Sequence, residues 1–114
     1  MPTYITLYNL TEQGVKSIKD GPGRYEEGVK KFEAMGGKVI GFYATMGEYD
    51  YVGIGEAPND EVPMIFAPAL GALGNFRTTT LKAFTTEEFA THMVFKDVHS
   101  LAFRILSAFV TNHL

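Results

Sequence analysis

The tight Gly47-Glu48 turn runs directly into a phenol and a carboxylate, Tyr49 and Asp50. A phenol beside a carboxylate can bind a small polar ligand or pass a proton, so this pair forms the candidate catalytic residues. The competing reading is structural: an aspartate just after a turn accepts turn N–H groups, while the tyrosine braces a hairpin or a subunit contact. Tyr4, Tyr8, Tyr43 and Tyr51, together with Tyr49 and Asp50, make up the candidate ligand-binding set. Glu48 and Glu56 are read as solvated or paired side chains that could complete an acidic mouth. His92, His99 and His113 contain no HxxxH pair. His92 and His99 lie two helical turns apart, about 10 Å, too far to share one metal. Neither a metal nor a cofactor is expected, and Met35, Met46, Met64 and Met93 read as core filler.

These side chains have to be held by strands and helices whose periodicities can be read along the chain. Thr3 to Leu10 alternates as a half-buried strand. Thr11 can cap a helix that breaks near Pro22 and resumes with the Tyr25, Val29, Phe32 stripe until Gly36-Gly37. Lys38 to Met46 and Tyr49 to Ala57 are β-rich and closely spaced, which predicts a hairpin. Val62 to Leu73 is apolar nearly all round and predicts a buried helix, kinked at Pro68. Arg77 to Phe84 is the fourth strand. Thr85-Thr86-Glu87-Glu88 has the spacing of a capping box, and Val98, Leu101, Ala102, Ile105, Leu106, Phe109 and Val110 mark an amphipathic terminal helix.

The order βαββαβ implies an α+β, ferredoxin-like fold: an antiparallel four-stranded sheet with helices on one face. Residues 1–94 are expected to form this domain, with 95–114 as its helical extension. One sheet face collects Ile5, Leu7, Val52, Ile54 and Leu81; the other collects Tyr4, Tyr8, Tyr51, Gly53, Gly55 and several threonines. The tyrosine-lined face is too aromatic for ordinary solvent surface. Face-to-face association of two copies is the expectation, with coverage by the terminal helix as the alternative.

Composition narrows the function. A chain of 114 residues, 46% hydrophobic and 20% charged, suits one packed domain. A net charge of −3 without a Lys/Arg cluster argues against nucleic acid as a partner. The absence of cysteine removes disulfides, thiolate metal sites and cysteine nucleophiles, and fits a cytoplasmic location. No signal-peptide pattern or membrane-length apolar run is seen, so no membrane association is expected.

Gly47-Glu48-Tyr49-Asp50, the following Glu56-Ala57-Pro58-Asn59-Asp60-Glu61, the opening MPTYITLYNLTEQGVKSIKD and the later GALGNFRTTTLKAFTTEEF occur in an order that resembles the GYD-domain family, over roughly residues 1–89. That resemblance implies a dimeric α/β barrel with a ferredoxin-like subunit, in a family largely uncharacterised in function. Pro63 and Pro68 depart from the family pattern, and the tail from Lys96 lies beyond it. The chain is more weakly similar to the effector-binding domain of feast/famine regulators, which have a G-x-YD turn and bind amino acids at subunit interfaces; no helix-turn-helix accompanies it here. The expected function is a homo-oligomeric small-ligand-binding or assembly module, with a small polar or aromatic molecule as ligand. The alternative is a small cofactor-independent monooxygenase, isomerase or decarboxylase acting on a small organic molecule.

Overall fold

The computed structural model describes residues 1–93, without the side chains of His92 and Met93, and residues 104–110. Expectations placed on Lys96, Val98, His99, Leu101, Ala102 and His113, and on the side chain of His92, lie outside the described residues. Two compact units are present, Met1–Ala83 and Phe84–Leu114.

In the first unit, strands β1 (Thr3–Leu10), β2 (Lys38–Ala44), β3 (Tyr51–Glu56) and β4 (Phe76–Ala83) form an antiparallel sheet in the order β2-β3-β1-β4. This is the ferredoxin-like arrangement: β1 lies between β3 and β4, and each βαβ half crosses over through a helix. Registers are fixed by pairs such as Ile5↔Ile54, Leu7↔Val52 and Tyr8↔Tyr51 on one side of β1, and Ile5↔Leu81 and Thr6↔Thr80 on the other. The register of β2 against β3 shifts between Val39 and Gly41, leaving Ile40 as the extra residue.

The first helical segment divides as the Asp20-Gly21-Pro22 interruption suggests. Helix α1 (Glu12–Lys16) is capped by Thr11, a 3-10 turn spans Ile18–Asp20, and α2 (Gly21–Ala34) carries Pro22 in its first turn, where no amide hydrogen is needed. Gly36, at φ 90°, closes α2 in a conformation that a Cβ disfavours, and the Gly37 amide donates back to the Phe32 carbonyl (3.0 Å). Helix α3 (Glu61–Ala72) contains Pro68 in its interior.

Both α2 and α3 lie over the face bearing Tyr4, Thr6 and Tyr8. Tyr25 of α2 meets Phe42 of β2 (4.8 Å between ring centres), and Phe32 of α2 meets Phe66 of α3 (5.2 Å). Tyr4, Phe32, Ala57 and Val62 form the buried core, with Met35, Val39 and Phe66 packed against it. The expectation that the tyrosine face turns away from the helices is therefore corrected. The physical reason is the glycines: a Cβ at Gly55 would stand 3.1 Å from the Phe32 ring, and one at Gly53 would stand 3.3 Å from the Tyr8 ring. Each glycine leaves a hollow that an aromatic ring occupies, so a face of tyrosine, threonine and glycine packs as a core. The Ile5, Leu7, Val52, Ile54, Leu81 face is left without a helix of this unit over it.

The second unit begins with a reciprocal capping box. The Glu88 amide donates to Thr85 Oγ1 and the Thr85 amide to Glu88 Oε1, both at 3.0 Å, starting helix α4 (Thr86–Met93). Residues 104–110 are helical.

Candidate functional site

The end of β1 is gripped from both sides. Pairing with β3 stops at Tyr8↔Tyr51, so the Leu10 amide has no β3 partner. Asp50 takes the place of a strand neighbour: its Oδ2 accepts from the Leu10 amide (2.8 Å), and its own amide donates to the Tyr8 carbonyl (2.9 Å). The β2–β3 connection is held by the Thr45 amide on the Asp50 carbonyl (2.9 Å) and by Thr45 Oγ1 donating to the Tyr49 carbonyl (2.6 Å). Strand pairing consequently ends at Ala44↔Tyr51, short of the two-residue turn the sequence suggests.

On the β4 side, the Thr11 amide donates to the Asn75 carbonyl (3.0 Å) and Thr11 Oγ1 to the Gly74 carbonyl (2.5 Å). Gln13 Nε2 reaches both the Leu73 carbonyl (3.1 Å) and Asn75 Oδ1 (3.2 Å). Asn75 is buried, and Gly14 packs so closely that a Cβ there would stand 2.2 Å from the Asn75 carbonyl oxygen. The LTEQG and GALGN segments are thus two halves of one joint.

Between the sheet and helices α2 and α3 lies a cavity of about 1370 Å³. At one end Phe32 meets Phe66 beside Tyr4. Its other end is walled by an aromatic cluster: Tyr8 stands edge-on to Phe42 and Phe76 (both 5.6 Å), and Phe42 stacks on Tyr51 (5.5 Å, 22°). Thr6 and Thr80 lie on the floor between the two ends, and Ile65 and Leu70 reach the cavity from α3. Burial pushes the Tyr8 phenol above its ordinary range; a hydrogen bond with Thr6 works against that shift and the nearby Tyr25 adds to it.

At the Tyr4 end the Tyr4 hydroxyl donates to Asp60 Oδ1, and Lys82 Nζ contacts both carboxylate oxygens (2.9 and 3.2 Å). Burial, then the hydrogen bond and charge of Asp60, push the Tyr4 phenol up to about 12. The hydrogen bonds from Tyr4 and Lys82 hold the Asp60 carboxyl below its usual range.

Of the six candidate ligand-binding residues, the structure brings Tyr4, Tyr8 and Tyr51 to the cavity. Tyr43 pairs with Val52 on the opposite sheet face and is 58% exposed. Tyr49 and Asp50 sit at the hairpin end, outside the cavity lining. Sequence reasoning missed Asp60 and Lys82, which lie 56 and 78 positions from Tyr4: Lys82 meets it through the β1–β4 register, Tyr4↔Lys82, and Asp60 from the start of α3. Among the described residues, no three His, Asp or Glu side chains converge as a metal site, and no helix is long and apolar enough to cross a membrane.

A family model described as the GYD domain matches residues 4–93. A curated protein of Thermus thermophilus, described as glutamine synthetase and cystathionine beta-lyase binding protein, is 33% identical over 84 residues, covering 73% of this chain and 88% of that protein. Two solved structures are similar. One is FFRP-DM1 (22% identity, TM-score 0.48, covering 74% of this chain and all of that one). The other is TTHA0845 from Thermus thermophilus (21% identity, TM-score 0.46, covering 75% and 95%).

Proposed function

The chain belongs to the GYD domain family, and from that premise we propose that it is a homo-oligomeric assembly module that binds other proteins rather than transforming a substrate. One observation carries this function: the apolar sheet face turned away from α2 and α3. Ile5, Leu7, Val52, Ile54 and Leu81 occupy it, joined by Tyr43, and no helix of the Met1–Ala83 unit packs there. A sheet with helices on one side must bury an apolar second side against something, and a second copy offers a matching surface. Tyr43 at 58% exposure and Leu81 at 47% leave apolar surface to be covered.

The name of the Thermus thermophilus relative supports a protein partner, since that protein is described by the enzymes it binds. The surroundings of Asp50 favour a structural tie over a catalytic role, because its carboxylate holds a backbone amide and it lies outside the cavity lining.

Leu81→Lys tests the face directly. Leu81 is half-exposed on an edge strand, so the lysine ammonium can reach water in a lone subunit but is trapped in a closed interface. Light scattering coupled to size exclusion should show the unaltered chain as an oligomer and Leu81→Lys as a folded monomer. An oligomer unchanged by Leu81→Lys would exclude this face.

A further inference from the structure

We infer that the cavity between the sheet and helices α2 and α3 is a binding site for a neutral, planar aromatic molecule carrying one hydrogen-bonding edge. The inference goes beyond the assembly function and does not depend on it, because every residue lining the cavity lies within one subunit's Met1–Ala83 unit.

Three independent features specify that chemistry. The first is room: about 1370 Å³ exceeds the range of roughly 300–1,000 Å³ usual for small-molecule sites, so a ligand of several fused rings fits together with some water. The second is the wall. Tyr8 is edge-on to Phe42 and Phe76, and Tyr25 tilts over Phe42 while being 41% exposed at the mouth. Ring edges and faces presented together favour a flat aromatic guest, which can stack on one ring and meet the edge of another.

The third feature is Thr80. Its side chain lines the cavity floor opposite Thr6, two strand positions from Thr78, which pairs with Tyr8; its Oγ1 is shut off from the cavity with no hydrogen-bond partner, so a guest meets it once the side chain turns about χ1. A buried hydroxyl without a partner is unfavourable, and a guest supplying an acceptor or donor relieves it. Of the charged side chains that touch the cavity, Lys19, Asp20, Glu27 and Lys31 are exposed and of both signs, and the half-buried Arg24 is engaged by the Ser17 carbonyl (2.8 Å) and Asp20 (3.5 Å). Nothing in the lining selects a net charge, which is why the guest is neutral.

The test uses two probes on the full chain: 2-naphthol, with one hydroxyl, and naphthalene, with none. Two substitutions separate the contributions. Thr80→Val keeps the β-branched shape and removes the hydroxyl. Gly28→Leu lies on the cavity side of α2, where a Cβ meets nothing within 4 Å, and replaces a helix-interior glycine with a better helix former. Titration followed by ligand-observed NMR should show one saturable site per chain, with 2-naphthol bound about fivefold more tightly than naphthalene, the difference one hydrogen bond supplies. Thr80→Val should erase that difference and leave naphthalene unchanged, and Gly28→Leu should weaken both probes at least tenfold while the chain stays folded by circular dichroism. Failure of either probe to saturate would overturn the inference, as would equal affinities for both probes or affinities that Gly28→Leu does not change. The subunit count, measured on the same samples, reports on the assembly function separately.

Discussion

Asp50 and Gly14 do similar work by different means: each ties the end of β1 to a neighbouring connection. Removing the Asp50 carboxylate leaves the half-buried Leu10 amide without its partner. Asp50→Ala should lower the unfolding free energy by about 1–3 kcal/mol, and Asp50→Asn, which keeps an oxygen acceptor, by less. Denaturant titration checks the order; equal losses would mean that charge, not the acceptor, matters. Gly14→Ala should be among the costliest small substitutions, at about 1–3 kcal/mol, because the atom 2.2 Å away is a backbone oxygen already held by Thr11. Tyr4 makes a prediction in pH. Its folded-state phenol titrates near 12 against an ordinary value of 10, so its contribution to stability is intact below pH 10 and is lost as pH rises toward 12. Asp60 has the opposite sign: its depressed carboxyl contributes above its ordinary range and loses that contribution as pH falls below about 4. A thermal-melting series from pH 8 to 12 should show a shallower alkaline decline in Tyr4→Phe than in the unaltered chain. The Tyr4, Asp60, Lys82 contact was not legible beforehand, because nothing in spacing along the chain ties a strand residue to a helix start 56 positions away.

At the scale of elements, much was legible. The alternation of Thr3 to Leu10 put Ile5 and Leu7 on one face and Tyr4 and Tyr8 on the other, as the register has them, and the Thr85/Glu88 spacing announced both hydrogen bonds of the capping box. Thr85→Ala should fray the first turn of α4, speeding amide exchange there by an amount equivalent to about 0.5–2 kcal/mol; unaltered exchange would mean the box contributes nothing. What the pattern did not reveal was which sheet face the helices choose. Isoleucine and leucine advertise a core, whereas tyrosine beside glycine does not, until the hollow above Gly53 is seen to hold the rings of Tyr8 and Phe42. The bulge at Ile40 was equally hidden, since it shows only in the pairing of β2 with β3. The β2–β3 connection came out longer than the Gly47-Glu48 turn implied, because Asp50 leaves its own strand to serve Leu10.

For the whole molecule, that face choice gives the sheet two unlike sides. The tyrosine face and its helices border a cavity within the Met1–Ala83 unit, while no helix of that unit covers the aliphatic face. The family model spans both faces, matching residues 4–93. Native mass spectrometry of the full chain, sprayed at micromolar concentration without denaturant, tests the proposed self-association most directly. The account predicts a dominant species at two or more times the mass of the 12.6 kDa chain; a spectrum containing only the 12.6 kDa monomer would contradict it.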